Sequence, residues 1–274
     1  MANHGLKRLP SASFVNREFS LGKVRKVAER LKQIPWDSSS AYNRLVAPQE
    51  ILDYLAMLGG HKPVYLLGRG FDDPGWTRGI RELSVDLGLF VLDGLPWTPP
   101  EAEGPLPMWY REYLHRLEPR HIVSCIMRQE SIAEQVFPLT QSGQVTEAVE
   151  ARLLGYPECC VRAYHAALRR IAEAEYRIAL EDSGGDPETL RSRLKTGFVV
   201  QPRGEAARLE LEPNWVLAPF TSVFLCAACQ ASEEGPGREL SGRMSRFLAK
   251  IDPRLHRILS RVAAESPAYG AQAP

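Results

Sequence analysis

The sequence predicts the α/β fold class, with α+β as the other arrangement open to it. Two observations carry this. The N-terminal half alternates short apolar runs with stretches of helical period, in the order strand, helix, strand. The C-terminal half is mostly of helical period and holds four of the five cysteines. The expected layout is an arm over 1–19, an α/β portion over 20–130 with a small parallel-type βαβ layer, a mostly helical cysteine-containing portion over 131–264 and a disordered tail over 265–274. At 274 residues these portions fit one compact unit.

Taken in order, residues 1–19 show little periodicity. Leu21, Val24, Val27, Leu31 and Ile34 recur at helical spacing with Lys and Arg on the other face, which predicts a first helix. A second spans Pro48 to Leu58, and Gly59-Gly60 ends it. Val64-Tyr65-Leu66-Leu67 reads as a buried strand. Asp72-Asp73-Pro74 then offers N-cap chemistry and a first-turn proline to a helix carrying Trp76, Ile80, Leu83 and Leu87. Leu89 to Leu92 is a second strand. A proline-rich connector, Pro96 to Pro107, leads to a helix over Met108–Leu117, and His121 to Met127 is a third strand.

From about Ser131 the period is helical. Val161, Tyr164, Leu168, Ile171 and Ile178 line one face of a long helix that starts near Glu158, and the run from Asp182 to Pro187 stops it. Residues 197–225 read as extended segments and turns. Two further helices carry Leu240, Met244, Phe247 and Leu248, then Leu255, Ile258, Leu259 and Val262. Asp252-Pro253 separates them. No internal repeat is visible.

Composition narrows the function classes. The formal net charge is +1, without the basic excess that general affinity for nucleic acid or anionic lipid demands. Lys7 and Arg8 near the N-terminus are not followed by an apolar h-region, so no signal peptide is read. The longest uncharged stretch, Trp215 to Ser232, is broken by Pro219 and by polar residues, and falls short of a membrane span. The expected location is the cytosol, where thiols stay reduced and close cysteine pairs favour metal or redox chemistry over disulfides.

Cysteine spacing is the sharpest signal. Cys159 and Cys160 are adjacent, and Cys226-Ala227-Ala228-Cys229 is a C-x-x-C. Gly155-Tyr156-Pro157-Glu158 is a turn sequence, so the first pair falls in the opening turn of the long helix. There the positive end of the helix dipole favours thiolate. The second pair ends the apolar run Val216–Leu225, which should be buried. A C-x-x-C turn lets both sulfurs face one point. Four thiolates suit tetrahedral zinc or a four-iron iron–sulfur cluster. Neighbouring helical side chains diverge by about 100°. Both reach one cluster, or one of the two binds a metal and leaves a three-cysteine site with an open position, the mark of catalysis. The apolar wall and the helix terminus suit a cluster slightly better than zinc. Separate buried cysteines are the alternative.

The segment Leu153-Leu154-Gly155-Tyr156-Pro157-Glu158-Cys159-Cys160-Val161-Arg162-Ala163-Tyr164 resembles the signature G-Y-P-x-C-C-V-x-A-F of the prokaryotic family called domain of unknown function 483. That family's second element, a C-x-x-C followed by a serine, is similar to Cys226–Cys229 with Ser232. The likeness covers about Ile122 to Ser232. Where the family pattern often has a histidine three residues before the C-x-x-C, this chain has Val223. The family carries no assigned activity, so the resemblance implies one site for Cys159, Cys160, Cys226 and Cys229 and nothing finer.

Other motifs are weaker. Gly68-Arg69-Gly70 after the first strand and Asp93 after the second have the placement of a dinucleotide fold. The third glycine position is Asp73, whose carboxylate would repel a pyrophosphate, and an ordinary βα turn is the better reading. Cys125, mid-strand, reads as core, the alternative being a fifth sulfur in the same cavity. His165 sits about 140° around the helix from Cys160 and reads as a surface or core residue rather than a ligand. His121 opens the third strand, and His4, His61, His115 and His256 lack ligand-like neighbours. Trp97, Trp109 and Tyr110 could wall a pocket but read as core. Arg162, Arg169, Arg170 and Arg177 read as a solvated face.

The functional expectation is a cytosolic metalloprotein with an iron–sulfur cluster or zinc at its four-cysteine site. It could be a metal-dependent enzyme of sulfur or redox chemistry acting on a small molecule. The alternatives are a non-catalytic binding module with structural zinc and a thiol–disulfide redox protein.

Overall fold

The computed structural model describes residues 18–39, 41–68, 73–97, 105–117, 123–196, 203–204, 220–232 and 234–265. Outside them lie most of the expected N-terminal arm, Arg69-Gly70, part of the proline-rich connector, His121, most of the 197–219 stretch and most of the tail.

Helix α1 (Leu21–Leu31) starts at Ser20, whose hydroxyl accepts from the Lys23 amide, and buries Val24, Val27, Ala28 and Leu31. Helix α2 (Ala41–Leu58) extends seven residues before the expected start and holds Pro48 inside it. An interior proline removes a helix hydrogen bond at a cost of about 3 kcal/mol. Packing offsets this: every residue from Ile51 to Leu58 is buried. Helix α3 (Pro74–Asp86) begins as expected, with Asp73 Oδ1 accepting from the Trp76 amide at 2.8 Å and Pro74 in the first turn.

The sheet corrects the parallel-type expectation. Strands β1 (Val64–Leu67), β2 (Phe90–Gly94) and β3 (Val123–Met127) lie in the order β1-β3-β2, and both pairings are antiparallel. Since β1 and β2 each oppose β3, they run in the same direction. The β1-α3-β2 unit is therefore present but split, with β3 inserted between its strands. Apolar runs report burial and not direction. β3 is buried at all five positions, as a strand flanked on both edges should be. Inserting it inverted lets both ladders take the antiparallel pattern, slightly more stable per residue. The arrangement is α+β.

Side chains alternate across the sheet. Tyr65, Leu67 and Ile126 enter the main core with α1, α2 and α3. Val64, Cys125 and Met127 face the other way, toward Ala133 and Val136 of α5 (Glu130–Ser142) and Leu153 and Leu154 of α6 (Glu147–Leu154). Helix α4 (Met108–Leu117) places Trp109 and Tyr110 against Tyr176. Tyr176 belongs to α7 (Glu158–Glu181), and Leu190 and Leu194 of α8 (Pro187–Lys195) complete that cluster.

The long helix α7 starts and stops where expected, with Gly184 and Gly185 at positive φ after it. Asp186 then caps α8, a helix the sequence reading did not foresee. Helices α9 (Ala227–Ala231), α10 (Pro236–Ile251) and α11 (Pro253–Glu265) follow. Asp252 divides the last two, its Oδ1 accepting from the Leu255 amide at 3.0 Å. The main core joins both halves of the chain: Val27, Leu55 and Ile80 share it with Cys160, Leu225, Met244 and Leu259. No helix among the described residues is long and apolar enough to cross a membrane.

Candidate metal centre

Two turns bring the cysteine pairs into position. Gly155, at φ 70°, ends α6, and a Cβ there would stand 3.0 Å from the His61 carbonyl oxygen. The chain turns through Tyr156-Pro157 and enters α7, whose first turn holds Cys159 and Cys160 as expected. The second pair arrives on a short helix rather than an open turn. Cys226 is the N-cap of α9, and Cys229 lies inside it.

The four Sγ atoms all lie within 4.8 Å of one another and could hold a metal ion. Cys159 Sγ is 3.9 Å from Cys160 Sγ and 3.8 Å from Cys229 Sγ. Cys160 and Cys229 are buried in the main core beside Val223, Leu225, Leu240 and Met244; Cys226 is half-buried and Cys159 exposed. The apolar wall expected before Cys226 is thus present at Val223 and Leu225. Cys125 is a core residue in the separate α5–α6 cluster and is not a fifth sulfur.

Electrostatics favour negative charge at this point. The first turns of α7 and α10 both meet the cysteines, presenting the positive ends of helix dipoles. The Gly237 amide of α10 donates to Cys229 Sγ at 3.4 Å. Burial pushes Cys226 up, but hydrogen bonds from the Cys229 amide and from the neighbouring thiols outweigh it and leave the Cys226 pKa below its ordinary value. Burial, then the neighbouring Cys229 and Cys226, push Cys159 up to about 11; burial raises Cys160 as well, against an opposing backbone hydrogen bond at Cys226. A bound divalent ion would favour the deprotonated form of its cysteine ligands.

Gly235 and Gly237 are part of this site, which sequence reasoning missed. A Cβ on Gly235 would stand 3.0 Å from Cys229 Cα; one on Gly237 would run into Leu225 Cδ2 and stand 3.4 Å from Cys160 Sγ. The signal was the Gly235-Pro236-Gly237 sequence soon after the C-x-x-C. Gly237→Val is expected to cost about 2 kcal/mol by overpacking and to lower metal content. Urea unfolding and metal analysis of the variant check this, and unchanged values on both would contradict it.

A second group of polar residues braces the same turns. Lys62 Nζ lies 3.0 Å from Asp53 Oδ1 and donates to the Tyr156 hydroxyl at 2.9 Å, with its ammonium 4.5 Å from that ring's centroid. Ser222 Oγ donates to Asp53 Oδ2. Tyr156 precedes Cys159 by three residues, and Ser222 precedes Cys226 by four. Both cysteine segments are thus tied to one buried ion pair between α2 and Lys62.

Beside it, Tyr65 donates to Glu50 Oε2 at 2.5 Å. Burial, assisted by the Asp53 charge and opposed by the Tyr65 hydrogen bond, pushes Glu50 up to about 7. The folded chain then holds a proton that the unfolded chain gives up near pH 4.5. The contribution of Glu50 to stability is full below that pH and is lost as pH rises toward 7. Glu50→Gln keeps the uncharged form. Its stability relative to the parent is expected to rise by about 2–3 kcal/mol between pH 4.5 and pH 8, as read from urea midpoints. A pH-independent difference would rule the effect out.

The remaining sequence candidates are accounted for by structure. His165 is buried on α7 and pairs with Glu150 of α6 at 2.6 Å, a core histidine and not a ligand. Asp73 spends its carboxylate on the Trp76 and Asp37 amides, both at 2.8 Å, which fills the helix terminus a pyrophosphate would need. Asp93 is engaged by both terminal nitrogens of Arg81. Trp97 and Tyr110 are core residues.

No protein-family model, no curated protein and no solved structure matches the chain.

Proposed function

We propose that Cys159, Cys160, Cys226 and Cys229 hold one zinc ion in a closed structural centre, and that the protein is a zinc-stabilised binding module of the cytosol. The observation that carries this is the mutual distance of the sulfurs. Metal–sulfur bonds of about 2.3 Å in a tetrahedron put the sulfurs about 3.8 Å apart. The two shortest links here are 3.8 and 3.9 Å, and none exceeds 4.8 Å. A four-iron cluster sets iron atoms between its thiolates and its centre, so its sulfurs stand farther apart, about 6 Å. The dipole ends and apolar wall, which from sequence leaned toward a cluster, serve a single ion equally.

Four sulfurs at these distances supply four ligands and leave no position for water or substrate, which is the mark of a structural site. Such an ion would staple the first turn of α7 to α9 and so hold the two halves of the main core together. Four reduced thiols side by side fit a reducing compartment, which supports the cytosolic part of the reading.

The experiment is metal analysis of anaerobically purified protein with cobalt substitution. One equivalent of zinc, and a cobalt spectrum dominated by thiolate charge transfer, is the expected result. A brown protein absorbing near about 400 nm, or one equivalent of a single redox-active iron, would replace zinc with an electron-transfer centre. Under about a tenth of an equivalent of any metal would end the proposal.

A further inference from the structure

One ligand of the proposed centre stands apart from the other three. Cys159 is exposed, Cys226 is half-buried, and Cys160 and Cys229 are buried in the main core. Oxidation of a cysteine follows its thiolate character and its access. Zinc holds its ligands as thiolates, so access decides among the four, and a dissolved oxidant meets Cys159 first.

Distance and chain connectivity then select the partner. From Cys159 Sγ, Cys160 Sγ lies at 3.9 Å and Cys229 Sγ at 3.8 Å. The two are not equivalent as disulfide partners. Adjacent residues hold their Cα atoms about 3.8 Å apart across a trans peptide. That is closer than the roughly 4.4 Å at which ordinary disulfides begin. Cys159 and Cys160 also share the first turn of α7, whose backbone would have to distort to join them. Cys229 belongs to α9 and lies 70 residues away in the chain, so no shared peptide restrains that pair. Cys226, also within 4.8 Å, is the competing partner that mapping of the bridge tests.

We propose that the centre is a redox switch, in which a hydroperoxide oxidises Cys159, a Cys159–Cys229 disulfide forms and zinc leaves. The inference rests on the zinc reading and adds its regulation. In the first step the Cys159 thiolate attacks a peroxide oxygen. The S–O bond forms, the O–O bond breaks, and the leaving hydroxide takes a proton from solvent. In the second, the Cys229 thiolate attacks the Cys159 sulfur. The S–S bond forms, the S–O bond breaks, and a second hydroxide is protonated to water. The two thiolates lose two electrons, and the peroxide gains them as it becomes two waters. Cys160 and Cys226 remain, two ligands where a structural zinc ion takes four. Ion and disulfide both tie the first turn of α7 to α9, so oxidation exchanges one staple for another. A dithiol returns the two electrons by thiol–disulfide exchange, is itself oxidised to a disulfide, and restores the zinc ligands.

The test treats the zinc-loaded full chain with hydrogen peroxide beside a chromophoric zinc chelator, then maps its disulfides in non-reduced peptides. The expected results are one zinc released per peroxide consumed, a linked Cys159–Cys229 peptide pair, and recovery of zinc binding after dithiothreitol. Cys159→Ala, loaded with zinc, is expected to keep its ion over the time in which the parent loses it, each measured against the same protein without peroxide. Zinc retained by the parent overturns the inference. So does a bridge to Cys160 or Cys226 in place of Cys229, oxygenated cysteine with no bridge, or zinc loss from Cys159→Ala at the parent's rate. If that variant does not fold, the peptide map of the parent decides alone. Metal content is measured first. A chain that never holds zinc yet forms the Cys159–Cys229 bridge sinks the zinc reading and leaves the assignment of the sulfur pair standing.

Discussion

Cys160→Ala and Cys229→Ala are each expected to abolish stoichiometric zinc binding and to cost about 4 kcal/mol of stability. Both side chains are buried in the main core, at 0% and 1% exposure, so no water can take the place of the lost sulfur. An ion that binds only the folded chain stabilises it by about 4.1 kcal/mol when its free concentration is a thousand times the dissociation constant. Loss of the ion removes that term. Cys159→Ala should behave differently. Cys159 is exposed, so water can complete the coordination, and zinc is expected to stay bound with reduced affinity. Zinc stoichiometry, and urea midpoints with and without chelator, separate the positions. If Cys160→Ala kept one equivalent and the parent midpoint, the closed four-sulfur centre would be wrong.

Each cysteine pair was legible because its determinants are local, whereas their meeting across seventy residues was inferred from the chemistry of paired thiols. A C-x-x-C constrains two sulfurs within four residues, and Gly155-Tyr156-Pro157-Glu158 announces a helix start just before the other two. The cap of α3 was legible for the same reason: Asp73 bonds an amide three residues away. What sequence did not show depends on distant partners. Strand direction is one case, since the runs that became β1 and β3 are equally apolar whichever way they point. The start of α2 is another. Pro48 marks a helix boundary by propensity, yet the helix runs through it because the buried face from Ile51 to Leu58 anchors the rest. The roles of Gly235 and Gly237 are a third case, since only their approach to Cys229 and Cys160 shows why side chains are absent there.

Lys62 is the most consequential residue that sequence reading passed over, and Lys62→Met is expected to cost about 3–5 kcal/mol. Its partner Asp53 stands on the preceding helix, but Tyr156 lies far from it in the chain, and Ser222 joins from farther still. Lys62 is 4% exposed and Asp53 7%. Burial alone would lower the lysine pKa, but Asp53 and Tyr156 beside it hold it above its ordinary value, so the ammonium is kept charged. Methionine fills the same volume without the charge and leaves Asp53 buried with, among the described residues, the Ser222 hydroxyl as its hydrogen-bond partner. Removing one member of a buried pair costs more than removing both. Lys62→Met/Asp53→Leu is therefore expected to lose less stability than Lys62→Met alone. The metal centre reads the same event independently. Tyr156 and Ser222 hang the two cysteine segments on this pair, and loss of such supporting contacts lowers metal affinity about 10–100-fold. Chelator competition on Lys62→Met should show that drop. A variant within about 1 kcal/mol of the parent, with unchanged zinc affinity, would mean that the ion pair fills space in the core and braces nothing.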